Sequence, residues 1–262
     1  MPSRRPLLAA VAAIGLATTP LAGHGQDVPV VAGASDLQFA LEEIAAAFKA
    51  DTGNEVRLSM GSSGNFARQV RQGAPFEMYL SADEGFVFDL HQDGFTRDEG
   101  DLYAIGRIVV IAPSASTLEP DAELANLEAM LAEGAIGRFA IANPDHAPYG
   151  RAAKEALITR GLWDAIESRL VLGENVSQAA QFATSGNAEG GIIAYSLALS
   201  PQVSALGTWT LLPEDWHEPL RQRMVLMPNA GPVAEAFYAY VQEPAARAIF
   251  RRYGFALPGE ES

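Results

Sequence analysis

Short apolar runs alternate with helical patterns along most of this 262-residue chain. Residues 107–112 (RIVVIA) form the most apolar run, and its length is typical of a buried strand. Between such runs, apolar residues recur at three- and four-residue steps, as Leu37, Leu41, Ile44 and Phe48 do, which predicts an amphipathic helix. Repeated alternation of strands and helices predicts an α/β fold with mainly parallel sheets.

The composition excludes several classes of protein. The chain has no cysteine, so disulfides, thiolate metal sites and cysteine nucleophiles are ruled out together. Its 32 acidic and 18 basic residues give a formal charge of −14, so it has no long-range attraction for nucleic acid or an anionic membrane. Any anion that it binds must be held by local groups.

Residues 1–25 have the pattern of a secretory signal peptide. Arg4 and Arg5 precede an apolar run over residues 7–16, and small residues follow as far as Gly25. The apolar run is too short to span a membrane, and no later segment approaches about 20 apolar residues. We therefore expect an exported protein that does not insert directly into the membrane.

Known catalytic motifs are missing from the sequence. Residues 61–64 (GSSG) resemble a serine nucleophile motif, but Asn65 stands where that motif needs glycine. The four histidines have no spacing that is typical of metal ligands. We therefore expect no enzymatic activity. A secreted serine hydrolase that uses Ser63 is the alternative from a different functional class.

Four residues lie where predicted helices begin: Ser35, Ser63, Tyr149 and Val176. The first turn of a helix has backbone N–H groups without partners, and the helix dipole adds partial positive charge there. In an open α/β sheet such helix starts gather at the carboxyl edge of the strands, where they can hold an anion. The alternative is that each residue caps only its own helix. The residues alone predict an exported α/β binding protein and do not choose its ligand.

Seven ordered motifs lie between Val30 and Phe255. They are residues 32–35 (AGAS), 61–64 (GSSG) with 67–69 (ARQ), 72–75 (QGAP), 80–83 (LSAD), 143–148 (NPDHAP), 173–176 (GENV) and 249–255 (IFRRYGF). Together they resemble the periplasmic molybdate-binding protein family, the solute receptors of molybdate ABC transporters.

This resemblance implies a two-lobed periplasmic binding protein fold of type II, with the ligand in the cleft between lobes. Each lobe would contain a mostly parallel sheet flanked by helices. Lobe I would contain residues 28–105 plus 214–258, and lobe II residues 106–213. The resemblance further implies a periplasmic monomer without a cofactor, which captures molybdate or tungstate and delivers it to the membrane permease of an ABC transporter.

The resemblance also implies which residues hold the anion. Ser35 and Ser63 would bind it through hydroxyl and amide groups, and Tyr149 and Val176 through backbone N–H groups. Molybdenum would be bound only as the oxyanion.

Two positions depart from the family pattern. Ala194 stands where some members supply a strand tyrosine, and alternation puts Tyr195 on the opposite strand face. Asp36 stands beside the first serine, where other members have asparagine. Asp36 either occupies a helical first turn, favoured by the dipole, or accepts a hydrogen from a protonated oxyanion or helps coordinate a cation. A receptor of the same fold for a different oxyanion or a chelated metal therefore stays open.

Overall fold

A computed structural model describes residues 28–260, and within them the chain forms two five-stranded sheets flanked by helices. The predicted signal peptide, residues 1–25, lies outside the described residues. No helix within residues 28–260 is both long and apolar enough to cross a membrane.

The strands are numbered in chain order. They are β1 (Val30–Ala34), β2 (Arg57–Gly61), β3 (Met78–Ser81), β4 (Asp101–Gly106), β5 (Ile108–Pro113), β6 (Phe139–Ala142), β7 (Leu170–Gly173), β8 (Gly190–Ala194), β9 (Gly207–Leu211) and β10 (Leu220–Leu226). The α-helices are α1 (Gln38–Thr52), α2 (Ser63–Arg71), α3 (Glu84–Gln92), α4 (Ala125–Ala132), α5 (Pro148–Thr159), α6 (Trp163–Ile166), α7 (Val176–Thr184), α8 (Tyr195–Ala198), α9 (Pro201–Ser204), α10 (Pro232–Val241) and α11 (Pro244–Arg252). Short 3₁₀ turns cover Ser35–Leu37, Glu167–Arg169 and Glu214–Trp216.

Each sheet forms the centre of one lobe. Lobe I has the strand order β2-β1-β3-β10-β4, and lobe II has the order β7-β6-β8-β5-β9. The chain passes from the first sheet to the second at Arg107, and returns through residues 212–219. The two-lobed α/β fold predicted from the sequence is confirmed.

Both sheets are mixed: four strands of each run in the same direction, as predicted, and one runs against them. In lobe I, β1 is parallel to β2 and β3, whereas β10 is antiparallel to β3 and β4. In lobe II, β6 is parallel to β7 and β8, whereas β5 is antiparallel to β8 and β9. Parallel neighbours need a long crossover, usually a helix. The chain enters β5 and β10 directly from the other lobe, without a crossover helix within the same sheet. These two strands can therefore run antiparallel to their neighbours.

The sheet of lobe I separates two apolar layers. Because side chains alternate along β1, Val31 packs on one face with Phe48 of α1, and Ala32 packs on the other with Phe66 of α2. In lobe II the core surrounds β5, in which every residue is buried. The central strands are therefore fixed on both faces, and their carboxyl ends give rigid starting points for the helices that follow.

Polar side chains mark where these helices begin. Ser62 accepts a hydrogen bond from the Asn65 amide at the start of α2, and Asn175 accepts one from the Gln178 amide at the start of α7. Asp83 plays the same part for α3, where its side chain accepts a hydrogen bond from the Gly85 amide. Such caps satisfy first-turn amides and set where the helix starts. Helix starts therefore follow directly from the ends of β2, β3 and β7.

Two local features differ from what the sequence indicated. β4 was not predicted from the sequence, although it joins the edge of lobe I beside β10. Tyr195 begins α8 instead of ending β8, and its ring packs 5.2 Å from that of Trp209, so the argument from strand alternation does not apply to it. Tyr149 lies at a helix start, as predicted, since it is the second residue of α5. Proline at the first position of α5 favours a helix start there.

Candidate anion-binding site

A small pocket lies between the lobes, at the carboxyl ends of their strands. Lobe I contributes residues 34–36 and 61–63 with Ala82, and lobe II contributes residues 147–149 with Val176. The cavity between these atoms is small, with a volume of ≈ 10 Å³, about the space that one water-sized group needs. Pockets for drug-sized ligands are far larger, about 300–1,000 Å³. The dimensions therefore suit a small ion rather than an extended molecule.

All five residues singled out in the sequence line this pocket: Ser35, Asp36, Ser63, Tyr149 and Val176. Each of them is at most 3% exposed. They come from both lobes, so the site is complete only when the two lobes are in contact.

Three helices begin at the pocket. Ser63 is the first residue of α2, Val176 is the first residue of α7, and Tyr149 is the second residue of α5. Amides at these positions have no acceptor within their own helix, and each helix start carries partial positive charge. Converging helix starts therefore supply both hydrogen-bond donors and a positive potential.

The two serine hydroxyls are held as donors. Oγ of Ser63 accepts a hydrogen bond from the Ala82 amide at 3.0 Å, and Oγ of Ser35 accepts one from the Ser177 amide at 3.4 Å. A hydroxyl that already accepts from an amide has its own hydrogen left for another acceptor. Both hydroxyls can therefore donate to a bound anion.

Among the described residues, the side chains that line the pocket include no lysine, arginine or histidine. Residues 28–260 also contain no cluster of three or more His, Cys, Asp or Glu side chains that could hold a metal ion. Attraction for an anion therefore has to come from neutral, fixed donors and helix dipoles.

Asp36 is the one acidic side chain of the pocket. Its Oδ2 accepts hydrogen bonds from Oη of Tyr149 at 3.0 Å and from Nε2 of Gln222 at 2.7 Å. Burial raises the pKa of this carboxyl to about 6, and the two hydrogen bonds oppose that rise. Burial also raises the pKa of Tyr149 well above its usual value, and the nearby Asp36 charge adds to the effect. Tyr149 therefore stays a neutral donor.

Asp36 lies in the 3₁₀ turn that precedes α1, which agrees with the first-turn interpretation. Its side chain, however, is only 1% exposed and bonds to Tyr149 of the opposite lobe. A residue that served only the helix dipole would not need this burial or this partner. Asp36 therefore belongs to the pocket itself.

His146 closes one side of the cleft. Its Nδ1 lies 2.9 Å from Oγ of Ser62, and its carbonyl oxygen accepts a hydrogen bond from the Gly64 amide at 2.9 Å. His146 lies in a turn, but its side chain is only 13% exposed and contacts the other lobe.

Ser62, His146 and Glu174 are arranged in a way that superficially resembles a catalytic triad. The order of the ring nitrogens is reversed, because serine meets Nδ1 and the carboxylate lies 3.7 Å from Nε2. Oγ of Ser62 also caps α2. Ser63, the serine of the hydrolase alternative, accepts from a backbone amide instead of facing a base. The contacts therefore fit a link between lobes better than an activated nucleophile.

Two residues of the site were missed in the sequence. Gln222 holds Oδ2 of Asp36, and Oη of Tyr103 donates to Oε1 of Gln222 at 2.7 Å. Gln222 carried a usable signal, because it lies between Leu220 and Met224 at a position whose neighbours in the alternation are buried. A polar residue in such a place needs an internal partner.

Comparison with known proteins agrees with this geometry. Residues 29–256 match the family described as bacterial extracellular solute-binding proteins. The molybdate-binding protein ModA of Azotobacter vinelandii is 34% identical over 250 residues, which cover 94% of this chain and 96% of the relative. ModA of Rhodobacter capsulatus is also 34% identical, with 92% of each chain covered.

A solved structure gives the same result. The periplasmic molybdate-binding protein of Azotobacter vinelandii superposes with a TM-score of 0.79 at 31% sequence identity, covering 88% of this chain and 99% of that one. Similarity over nearly full length in both sequence and structure confirms the resemblance found in the motifs. The chain belongs to the bacterial extracellular solute-binding protein family, together with the periplasmic molybdate-binding proteins.

Proposed function

We propose that this protein captures molybdate, or the similar tungstate ion, between its lobes and delivers it to the membrane permease of an ABC transporter. It acts in the periplasm as a monomer, without a cofactor, and performs no chemistry on the anion. The relatives named as molybdate-binding proteins support this proposal, since they match the chain over almost its whole length.

One structural observation carries the proposal. Three helix starts and two oriented hydroxyls converge on a buried pocket whose size suits a small ion. In this arrangement Ser35 and Ser63 donate through hydroxyl and amide groups, and Tyr149 and Val176 through backbone amides. Fixed neutral donors replace the hydration of an oxyanion without a mobile counter-charge.

The Tyr149 side chain brings a tyrosine hydroxyl to the site, although Ala194 stands where some family members have a strand tyrosine. Oη of Tyr149 arrives at the pocket from α5, where it contacts Asp36, whereas Tyr195 packs away against Trp209. A tyrosine hydroxyl is thus present at the site although the strand position has none. It is committed to Asp36 and not to the anion.

The test is calorimetric titration of the dialysed periplasmic protein with molybdate, tungstate, sulfate and phosphate. We expect one-to-one binding of molybdate and tungstate, with sulfate much weaker. Silence with molybdate together with heat from sulfate or phosphate would keep the anion site but overturn the ligand. Silence with all four anions would contradict an oxyanion receptor.

Matched serine variants locate the binding. Ser35→Ala and Ser63→Ala each remove one donor from the pocket, and should weaken molybdate binding by about 10- to 150-fold, since a hydrogen bond to a charged group contributes about 1.5–3 kcal/mol. Ser114→Ala is the control, because Ser114 is exposed on lobe II and bonds only to the Leu206 carbonyl. Equal affinities in all three variants would place the anion elsewhere.

A further inference from the structure

One oxygen of the Asp36 carboxyl has no partner. Oδ1 is buried and makes no hydrogen bond to any residue within 28–260, although Asp36 lines the anion pocket. A buried carboxylate oxygen without a donor is costly, more so than a neutral polar group left without one. The free atom therefore calls for a donor that the protein itself does not supply.

The other oxygen is held in place by a chain of hydrogen bonds. Oη of Tyr103 donates to Oε1 of Gln222, which turns Nε2 of Gln222 toward Oδ2 of Asp36. Nε2 also lies 3.1 Å from Oη of Tyr149, which itself donates to Oδ2. The carboxyl is thus fixed on its Oδ2 side, and Oδ1 is the oxygen left for the pocket.

The groups around Asp36 carry no positive charge. The titratable ones are Tyr149 from α5 and Tyr103 from β4, and burial raises the pKa of both, so they remain neutral. Residues 38–41 at the start of α1 are uncharged. The other neighbours are neutral as well: Gly61 at the end of β2, Ser62 and Ser63 at the start of α2, Ser177 from α7, Ser196 from α8 and Gln222 from β10.

Burial accordingly dominates the titration of this carboxyl and raises its pKa to about 6. The hydrogen bonds from Gln222 and Tyr149 lower this pKa, and so do the nearby backbone amides of Asp36 and Leu37. Neither amide has hydrogen-bond geometry to Oδ1. A dianion placed in the pocket would raise the pKa further, because two like charges would meet in a dry site.

We propose that the site takes up its oxyanion together with one proton from solvent, which lies between Oδ1 of Asp36 and an oxygen of the anion. The inference rests on the proposed function, since it requires an oxyanion in this pocket. The shared proton converts a repulsive contact between two acceptors into a charge-assisted hydrogen bond. It also sets the ligand class: the site selects a tetrahedral oxyanion in its singly protonated form, or the dianion against a protonated Asp36.

A dependence of affinity on pH follows. Above about pH 6 the Asp36 carboxyl of the ligand-free protein is ionised, so binding of each anion takes up one proton from the buffer. Uptake of one proton makes the dissociation constant rise by up to about tenfold for each pH unit. In Asp36→Asn the side-chain amide supplies a hydrogen-bond donor in place of the proton. The affinity of this variant for molybdate should therefore not depend on pH in this range.

The test is calorimetric titration of the periplasmic protein with molybdate at pH 7 to 8, in Tris and in HEPES, two buffers with different ionisation enthalpies. From the difference in heat we expect uptake of more than about 0.5 proton per anion by the wild type. Asp36→Asn should bind molybdate with no proton uptake. The control Asp89→Asn changes an exposed carboxylate of α3 and should behave as the wild type does.

The outcomes separate the two proposals. Tight molybdate binding by the wild type with no proton uptake and a constant affinity would overturn the shared proton and leave the proposed function intact. Proton uptake that persists in Asp36→Asn would also overturn it. Absence of molybdate binding by the wild type over the whole pH range would overturn both. The wild-type measurement alone decides if Asp36→Asn does not fold.

Discussion

Nδ1 of His146 lies 2.9 Å from Oγ of Ser62, and this contact joins the two lobes beside the pocket. The two residues are 84 positions apart in the chain, in a turn of lobe II and at the start of α2 in lobe I. Because the site is formed from both lobes, contacts at its edge stabilise the closed arrangement and with it the bound anion.

His146→Ala should therefore shorten the lifetime of the complex. Losing one net hydrogen bond destabilises the closed state by about 1 kcal/mol, or about fivefold in affinity. We expect the change in the dissociation rate, since the open protein still meets the anion normally. Stopped-flow displacement of molybdate measures it. His91→Ala, which removes a histidine of α3 outside the pocket, is the control, and an equal rate in both variants would contradict a role for His146.

Gly64→Ala tests the same edge of the cleft by steric means. A Cβ atom at Gly64 would lie 2.7 Å from the carbonyl oxygen of His146, which is backbone of the other lobe and cannot turn away. Overpacking of this kind costs about 1–3 kcal/mol, or about 5- to 150-fold in affinity. Alanine is otherwise favourable in a helix, so the melting temperature of the ligand-free protein should change little.

Calorimetry and thermal unfolding together check this prediction. Gly137→Ala is a suitable control, because the Cβ there meets only a flexible glutamate side chain at 3.6 Å. Normal molybdate affinity in Gly64→Ala would show that the lobes do not meet at this point when the anion is bound.

The positions of Ser63 and Val176 at helix starts could be predicted from the sequence, because helix starts follow local rules. Ser63 and Val176 lie at strand-to-helix junctions, and such junctions are set by nearby caps and apolar runs. Chain order in an α/β fold then brings these junctions to one edge. Position relative to a helix start was enough, without knowledge of any long-range contact.

The partners of Asp36 could not be predicted in that way. Tyr149 and Gln222 are 113 and 186 residues away, and only the packing of lobe II and the return of β10 bring them together. β4 was missed for a similar reason, since its pairing with β10 depends on a strand more than a hundred residues later. Non-local contacts of this kind leave little trace in a local pattern.

The ion pair between Arg151 and Asp83 also joins the lobes, but it should contribute less to molybdate affinity than the contacts of His146 and Gly64. Nη2 of Arg151 lies 2.6 Å from Oδ2 of Asp83, but the arginine side chain is 42% exposed. Exposed ion pairs contribute about 0.2–1 kcal/mol, so Arg151→Gln should weaken molybdate binding by less than about fivefold. In 1 M salt the Debye length falls to about 3 Å, and the difference from wild type should vanish.

Asp83 itself should not be changed in that experiment, because its Oδ1 accepts from the Gly85 amide and caps α3. Titrations of wild type and Arg151→Gln at low and high salt are sufficient. A large effect that survives high salt would mean that Arg151 acts through packing and not through charge.

Burial of Asp36 makes the ligand-free protein less stable as pH rises. Its pKa is about 6 in the folded protein, against an ordinary value of 3.8, so the folded state binds the proton more tightly than the unfolded chain does. The stabilisation is complete below the lower value and is lost as pH rises through the higher one. The shift corresponds to about 3 kcal/mol, at about 1.36 kcal/mol for each pKa unit.

Asp36→Asn carries no charge at any pH and should escape this loss. Urea unfolding of the ligand-free proteins between about pH 4 and pH 7 measures this loss. As pH rises over that interval, the free energy of unfolding of Asp36→Asn should increase relative to that of the wild type by up to about 3 kcal/mol. Asp89→Asn, which alters an exposed carboxylate, should follow the wild type. A constant difference between Asp36→Asn and the wild type across the interval would mean that Asp36 titrates alike in the folded and unfolded chains, and that its burial is relieved by solvent entering the cleft.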